Sequence, residues 1–201
     1  MTASFTPDRG ALAVQGTWDL DPACSRVAAT IRHVLLARVR GHFPDVFGAV
    51  QVAARPEDSS VEATIETASV ETGDETRDER LRGPEFLDVA RYPCMTFRSS
   101  SVSSSDGGSW GVHGDLTIRD RTRTITLAVT DEGVRLGADG RTRARFLGNV
   151  TLAREEFGLT WNQALDTGGL VLGRTIAVEL AIELAIEAVL RSPNDRQSRG
   201  Q

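Results

Sequence analysis

TIAVELAIELAIE, residues 175–187, is built almost wholly from good helix formers, yet its large aliphatic residues fall at every second position. At about 100° per residue, a helix would place Ile176, Leu180 and Leu184 near one side. Val178, Ile182 and Ile186 would fall near the opposite side, leaving no clean polar face. At 180° per residue, Ile176, Val178, Leu180, Ile182, Leu184 and Ile186 share one face, and Ala177, Glu179, Ala181, Glu183, Ala185 and Glu187 share the other. Helix propensity is a weak prior against so regular a period, so the stretch reads as a strand. It is far longer than the usual five or six residues. One unbroken apolar face over that length suits a deep barrel, whose tilted strands must run its full height. Whether Glu179, Glu183 and Glu187 face water or a second copy in a homodimer is left open by the pattern.

The neighbouring sequence reads the same way. SSVEATIETASV, residues 59–70, alternates Val61, Ala63, Ile65 and Thr67 against Glu62, Thr64 and Glu66. WGVHGDLTIRDRTRTITLAVTDEG, residues 110–133, is two alternating runs hinged near Asp120, a long hairpin whose turn needs unusual backbone angles. RTRARFLGNVTLAREEFG, residues 141–158, supplies another strand with a break at residues 155–158. Only TRDERLRGPEFLDVARYP, residues 76–93, reads as non-strand: Thr76 is placed to cap a short helix that Gly83-Pro84 ends. The count is about eight strands with one or two short helices, an antiparallel all-β chain forming a barrel or sandwich. One domain spans residues 14–190, with polar or small-residue tails of disordered composition at 1–13 and 191–201.

Composition narrows the function classes. The net charge of -5 and a pI near 5.3 argue against the clustered basic surface that binds nucleic acid. Asp8 and Arg9 stand where a signal peptide needs an apolar run, and no segment has transmembrane length, so a cytoplasmic protein is expected. Cys24 and Cys94 lack CxxC partners and read as buried free thiols. GGSWG, residues 107–111, matches the G-x-S-x-G elbow in letters only, because a strand pattern rather than a helix follows it. His33, His42 and His113 have no metal-ligand spacing, and no carboxylate pair, phosphate loop or triad stands out. No metal, cofactor or enzymatic activity is indicated. GDETRDERLR, residues 73–82, offers Arg77, Arg80 and Arg82 as a phosphate holder, but Asp74, Glu75, Asp78 and Glu79 offset them, which favours a solvated or salt-bridged helix face.

Several ordered blocks resemble the YceI-like family, from about Trp18 to Glu187. WDLDPACSRVAATIRH carries the opening segment at Trp18, Asp21, Pro22, Ala23, Ser25 and His33, and GHFPDVFG carries Gly41, Phe43, Phe47 and Gly48. ASVETGDETRDERLRGPEFLDVARYPCMTFRS matches at Ser69, Thr72, Gly73, Arg77, Asp78, Leu81, Phe86, Asp88, Val89, Tyr92, Pro93 and Phe97. GDLTIRDRTRTITL resembles the family's hairpin, and REEFGL its Arg-x-x-Phe-Gly element at Arg154, Phe157 and Gly158. The chain departs from the family pattern at Cys24 and Arg80, where histidines are usual, and at Asp120, where a turn glycine is common.

The resemblance implies an extended lipocalin-like antiparallel β-barrel that binds, sequesters or transports a polyisoprenoid or other long-chain lipid. The expected lumen wall is Ile176, Val178, Leu180, Ile182, Leu184 and Ile186, with alternating positions elsewhere. Phe43, Phe47, Phe86, Phe97, Phe157 and Trp161 are expected as aromatic wall or lid, and His33 and Arg77 as polar contacts near the mouth. Two other readings stand beside it: a small barrel enzyme acting on an isoprenoid quinone or lipid, and a partner-binding barrel with a closed core.

Overall fold

The structure, a computed structural model, describes residues 15–33, 38–105, 109–136, 140, 142–162 and 172–186, with the backbone alone at 32, 33, 105, 172, 173 and 177–186. The two expected tails lie outside these residues. TIAVELAIELAI, residues 175–186, falls in a strand, as its period requires, and Glu187 lies outside the described residues. This strand, β10 (Leu172–Ile186), pairs antiparallel with β9 (Thr142–Ala153) from Thr175↔Ala153 to Ile186↔Thr142.

Ten strand segments are present among the described residues, against the expected count of about eight. The others are β1 (Gly16–Leu20), β2 (Arg26–His33), β3 (Val39–Phe43), β4 (Val46–Val52), β5 (Ser60–Glu66), β6 (Cys94–Ser105), β7 (Ser109–Ile118) and β8 (Arg121–Leu136). The sheet order is β1-β4-β5-β6-β7-β8-β9-β10-β2-β3, and a β1–β10 pairing at Asp19↔Ala185 and Leu20↔Leu184 closes the ring. The two numbers reconcile because β1 and β2 lie in succession along one edge of β10, while β4 and β3 lie in succession beyond them. The barrel therefore has eight staves, two of them broken.

Each break has a local cause. Between β1 and β2, Pro22 follows Asp21, whose carboxylate accepts the Ala23 N–H at 3.1 Å and whose carbonyl accepts the Ser25 N–H at 2.9 Å, making a tight turn. Between β3 and β4, Pro44 has no N–H to give to a ladder. The second break also inverts side-chain parity. In β3 the buried positions are Gly41 and Phe43; in β4 they are Val46 and, further on, Val52.

The expected short helix is α1 (Glu75–Arg82), ending at Gly83 as expected. Its cap is Asp74 rather than Thr76: the Asp74 carboxylate accepts the Arg77 N–H at 3.1 Å, so Thr76 falls inside the first turn. The β7–β8 hairpin turns at Arg119-Asp120, and it is Arg119, with φ 56°, that takes the left-handed conformation. The Arg119 guanidinium lies 3.9 Å from the Asp88 carboxylate, which ties this turn to the loop after α1. β9 breaks into a 3₁₀ turn at Arg154–Phe157, closed by Gly158 at φ 74°.

Cys24 and Cys94 are free but exposed rather than buried, one in the β1–β2 turn and one at the start of β6. His113 is a β7 residue, its ring nitrogens 2.8 Å from the Thr126 hydroxyl and 3.2 Å from the Ser103 hydroxyl. A strand runs through Ser109 and Gly111, so the GGSWG stretch forms no nucleophile elbow.

One joint of the wall is incomplete. The β8–β9 register runs from Leu136↔Thr142 to Ala128↔Asn149 and stops, although β8 stays paired with β7 to Arg121 and β9 with β10 to Ala153. The seam between the two strands is an open cleft of about 470 Å³, with the exposed residues Thr124, Thr126 and Thr151 along it.

Candidate functional site

Inward alternation of the staves gathers Trp18, Val46, Phe97, Val112, Leu116 and Leu152 into one apolar cluster. They do not fill the barrel. A cavity of about 240 Å³ remains along the axis, lined by apolar side chains apart from the Ser59 hydroxyl. Gly114 in β7 makes a close approach of β6 to β7 here: a Cβ would lie 2.4 Å from the Arg98 carbonyl oxygen and 2.7 Å from the Phe97 ring.

A second cavity of about 300 Å³ lies at the α1 end. Phe43, Leu87, Leu159, Ala29 and Ile176 line both spaces, so lumen and vestibule adjoin across an apolar waist of shared side chains. The vestibule also carries the polar groups Thr72, Arg77, Arg80 and Arg154. Arg77, Arg80 and Leu81 share the inner face of α1 by the i, i+3, i+4 rule. α1 is held by Arg82, which donates to the carbonyls of Ala68 and Val70 at 2.9 and 3.0 Å. Buried Asp78 accepts from the Thr72 N–H at 2.9 Å and the Thr72 hydroxyl at 2.6 Å. Arg77 Nε donates to that same hydroxyl at 2.8 Å, which fixes the guanidinium at the cavity edge.

The outer lip is built from two loops. Phe86 follows α1 and Trp161 follows the 3₁₀ turn, and their ring centroids are 5.0 Å apart. The Arg80 guanidinium lies 4.1 Å from the Trp161 ring centroid. Buried Arg154 holds this loop, donating to the carbonyl of Leu159 and, at 3.0 Å, to that of Trp161. Desolvation lowers the Arg154 pKa from the usual arginine value, with neighbouring Glu155 acting in the opposite sense.

Most of the aromatic residues expected from sequence are brought together here. Phe43 lies at the waist, Phe97 on the lumen wall, and Phe86, Trp161 and Arg77 in the vestibule. Two are placed elsewhere. Phe47 is 43% exposed and points out of the barrel, because the Pro44-Asp45 break shifts parity between Phe43 and Phe47. Phe157 is buried but borders the β8–β9 seam instead of the lumen or vestibule. Ile176 lines both cavities. The side chains of Val178, Leu180, Ile182, Leu184, Ile186 and His33 lie outside the described residues. Their backbones are in register with the wall: Val178 pairs with Val150 and Ala29, and Leu180 with Gly148 and Val27, all four lumen-lining.

Sequence reading passed over much of the wall, including Met95, Val102, Trp110 and Val129. The alternation in their strands was the available signal. It also left Arg154 without a place in the site and set Arg80 on a salt-bridged helix face, since what marks both is the loop carrying Trp161, which no local pattern displays.

A family model described as the YceI-like domain matches residues 18–188. A UPF0312 protein of Staphylococcus aureus (strain USA300) is 35% identical over 163 residues, covering 79% of this chain and 91% of its own length. Among solved structures, BcnA of Burkholderia cenocepacia superposes with a TM-score of 0.70 at 25% identity, over 82% of this chain and 98% of that one. A polyisoprenoid binding domain from Saccharophagus degradans shares the fold at a TM-score of 0.63 and 17% identity, over 85% of this chain and 98% of that one. With its closed eight-stave barrel and a family match over nearly the whole described region, the chain belongs to the YceI-like family.

Proposed function

We propose that this protein binds one long-chain amphiphile, polyisoprenoid or acyl, and sequesters or carries it with the tail in the lumen and the polar head in the vestibule. The observation that carries this reading is an apolar lumen that adjoins, across five shared lining residues, a vestibule whose lining adds arginines. Each buried methylene contributes about 0.8 kcal/mol, so a tail of several isoprene units outweighs the cost of association and ordering. The polar groups at the mouth then set orientation and selectivity. The fold shared with a polyisoprenoid binding domain supports the same ligand class. Carriage rather than catalysis fits the described lining residues, whose ionisable groups are arginines, which hold a proton instead of exchanging it.

Native mass spectrometry of the purified protein, followed by organic extraction, tests the proposal. A co-purifying long-chain lipid is the expected result. Protein that arrives empty and then takes up neither polyprenyl nor fatty-acyl probes overturns it.

A further inference from the structure

We propose that the vestibule selects an amphiphile whose head carries an anionic oxygen group, a carboxylate or a phosphate, over the same chain ending in a neutral alcohol. This rests on the carrier reading above and specifies the head-group class that the site takes.

Among the described residues, three guanidinium groups and no carboxylate line the vestibule. Two of them hold donors in reserve. Arg77 uses Nε on Thr72, whose hydroxyl also serves Asp78, and pairs with Asp74 at 3.7 Å from Nη2. Arg80 stacks on Trp161 and meets Glu85 at 3.8 Å, leaving its in-plane N–H groups for a further acceptor. A planar guanidinium fork matches a carboxylate or phosphate, and hydrogen bonds to charged acceptors are about twice as strong as neutral ones.

The countercharges on Asp74 and Glu85 do not line the cavity. They are 49% and 55% exposed and their arginines 32% and 53%, and ion pairs in such exposed settings contribute little. Glu75 is engaged by Arg82, Glu79 is exposed outside the cavity, and Asp78 is committed to Thr72. Arg77 and Arg80 share the vestibule lining with Phe43, Leu87 and Leu159, the residues that also line the lumen. An anionic head at this point places its tail directly at the entrance to the lumen.

The experiment compares hexadecanoate, hexadecyl phosphate and 1-hexadecanol on the intact protein by displacement of a neutral fluorescent probe, at low and high salt. The expected result is that at least one anionic chain binds about tenfold or more tightly than the alcohol at low salt, with the gap narrowing as salt rises. The tighter of the two anions identifies the source, fatty acid or lipid phosphate. Arg80→Gln is expected to lower anionic affinity more than alcohol affinity; Arg80→Lys, which keeps the charge, is expected to restore part of the difference. An alcohol that binds as tightly as both anions, or an anion preference indifferent to salt, overturns the proposal while leaving the carrier reading intact. Failure of all three chains to bind overturns both. Should the variants not fold, the ranking and salt dependence of the unaltered protein decide the matter alone.

Discussion

The guanidinium of Arg80 rests on the ring of Trp161, 4.1 Å from its centroid, and so joins α1 to the loop beyond β9 across the mouth of the barrel. A cation–π contact at a partly exposed site contributes about 0.5–1 kcal/mol. Trp161→Ala should therefore cost the fold little, about 1 kcal/mol, but open the lip and speed release of a bound probe. Trp161→Phe should lie between the two. Thermal melts together with stopped-flow release rates measure both quantities, and a loss of stability well above that figure would show that the lip is structural.

Arg154 should behave in the opposite way. It is 3% exposed and supplies donors to two loop carbonyls, so Arg154→Leu strands both acceptors in an apolar setting. The expected cost is about 2–4 kcal/mol. Urea denaturation checks this, and Arg154→Lys should recover only part of the loss because one ammonium cannot reproduce the fork.

Phe47 and Phe97 make a matched pair. Phe47 is exposed on the outer wall, whereas Phe97 is buried against the lumen. Phe47→Ser should change stability by no more than about 0.5 kcal/mol, and Phe97→Ala should cost about 3 kcal/mol. Equal effects in denaturant melts would contradict the parity shift at Pro44-Asp45.

Hydrogen exchange should expose the seam. Alternate amides of Arg121–Leu127 face β7 and are laddered, while those between them face the open joint with β9. The second set should exchange faster than the first and faster than the β9-facing amides of Ala128–Leu136. Uniform protection along β8 by NMR would mean that the joint is closed in solution.

The fold was legible where side-chain period speaks for itself. TIAVELAIELAIE alternates without a break, and no cap or turn chemistry competes with it, so strand pairing follows the pattern. The reading failed where one residue pair resets the count. Phe43 and Phe47 are four apart and would share a face of a continuous strand; Pro44-Asp45 lies between them and sends them to opposite faces. Thr76 looked like a cap by residue type, but Asp74 is better placed relative to the Arg77 N–H. The vestibule was half visible. Arg77 belongs to a local motif, whereas Arg80 and Arg154 gain their setting from Trp161, whose loop is brought back by long-range pairing of β9 and β10.

A complete barrel is a hoop whose girth is fixed by its backbone hydrogen bonds, and any widening must break some of them. This one resembles a split collar. Along the stretch of β8 and β9 beyond Ala128 and Asn149 there is no ladder to part, so expansion there works only against side-chain contacts. The seam adjoins Ile125, Val150 and Leu152, which also line the lumen, so the compliant part of the wall borders the cavity itself. Under the carrier reading proposed above, this is where the wall would give way to a thicker chain while the rest of the sheet stays undisturbed.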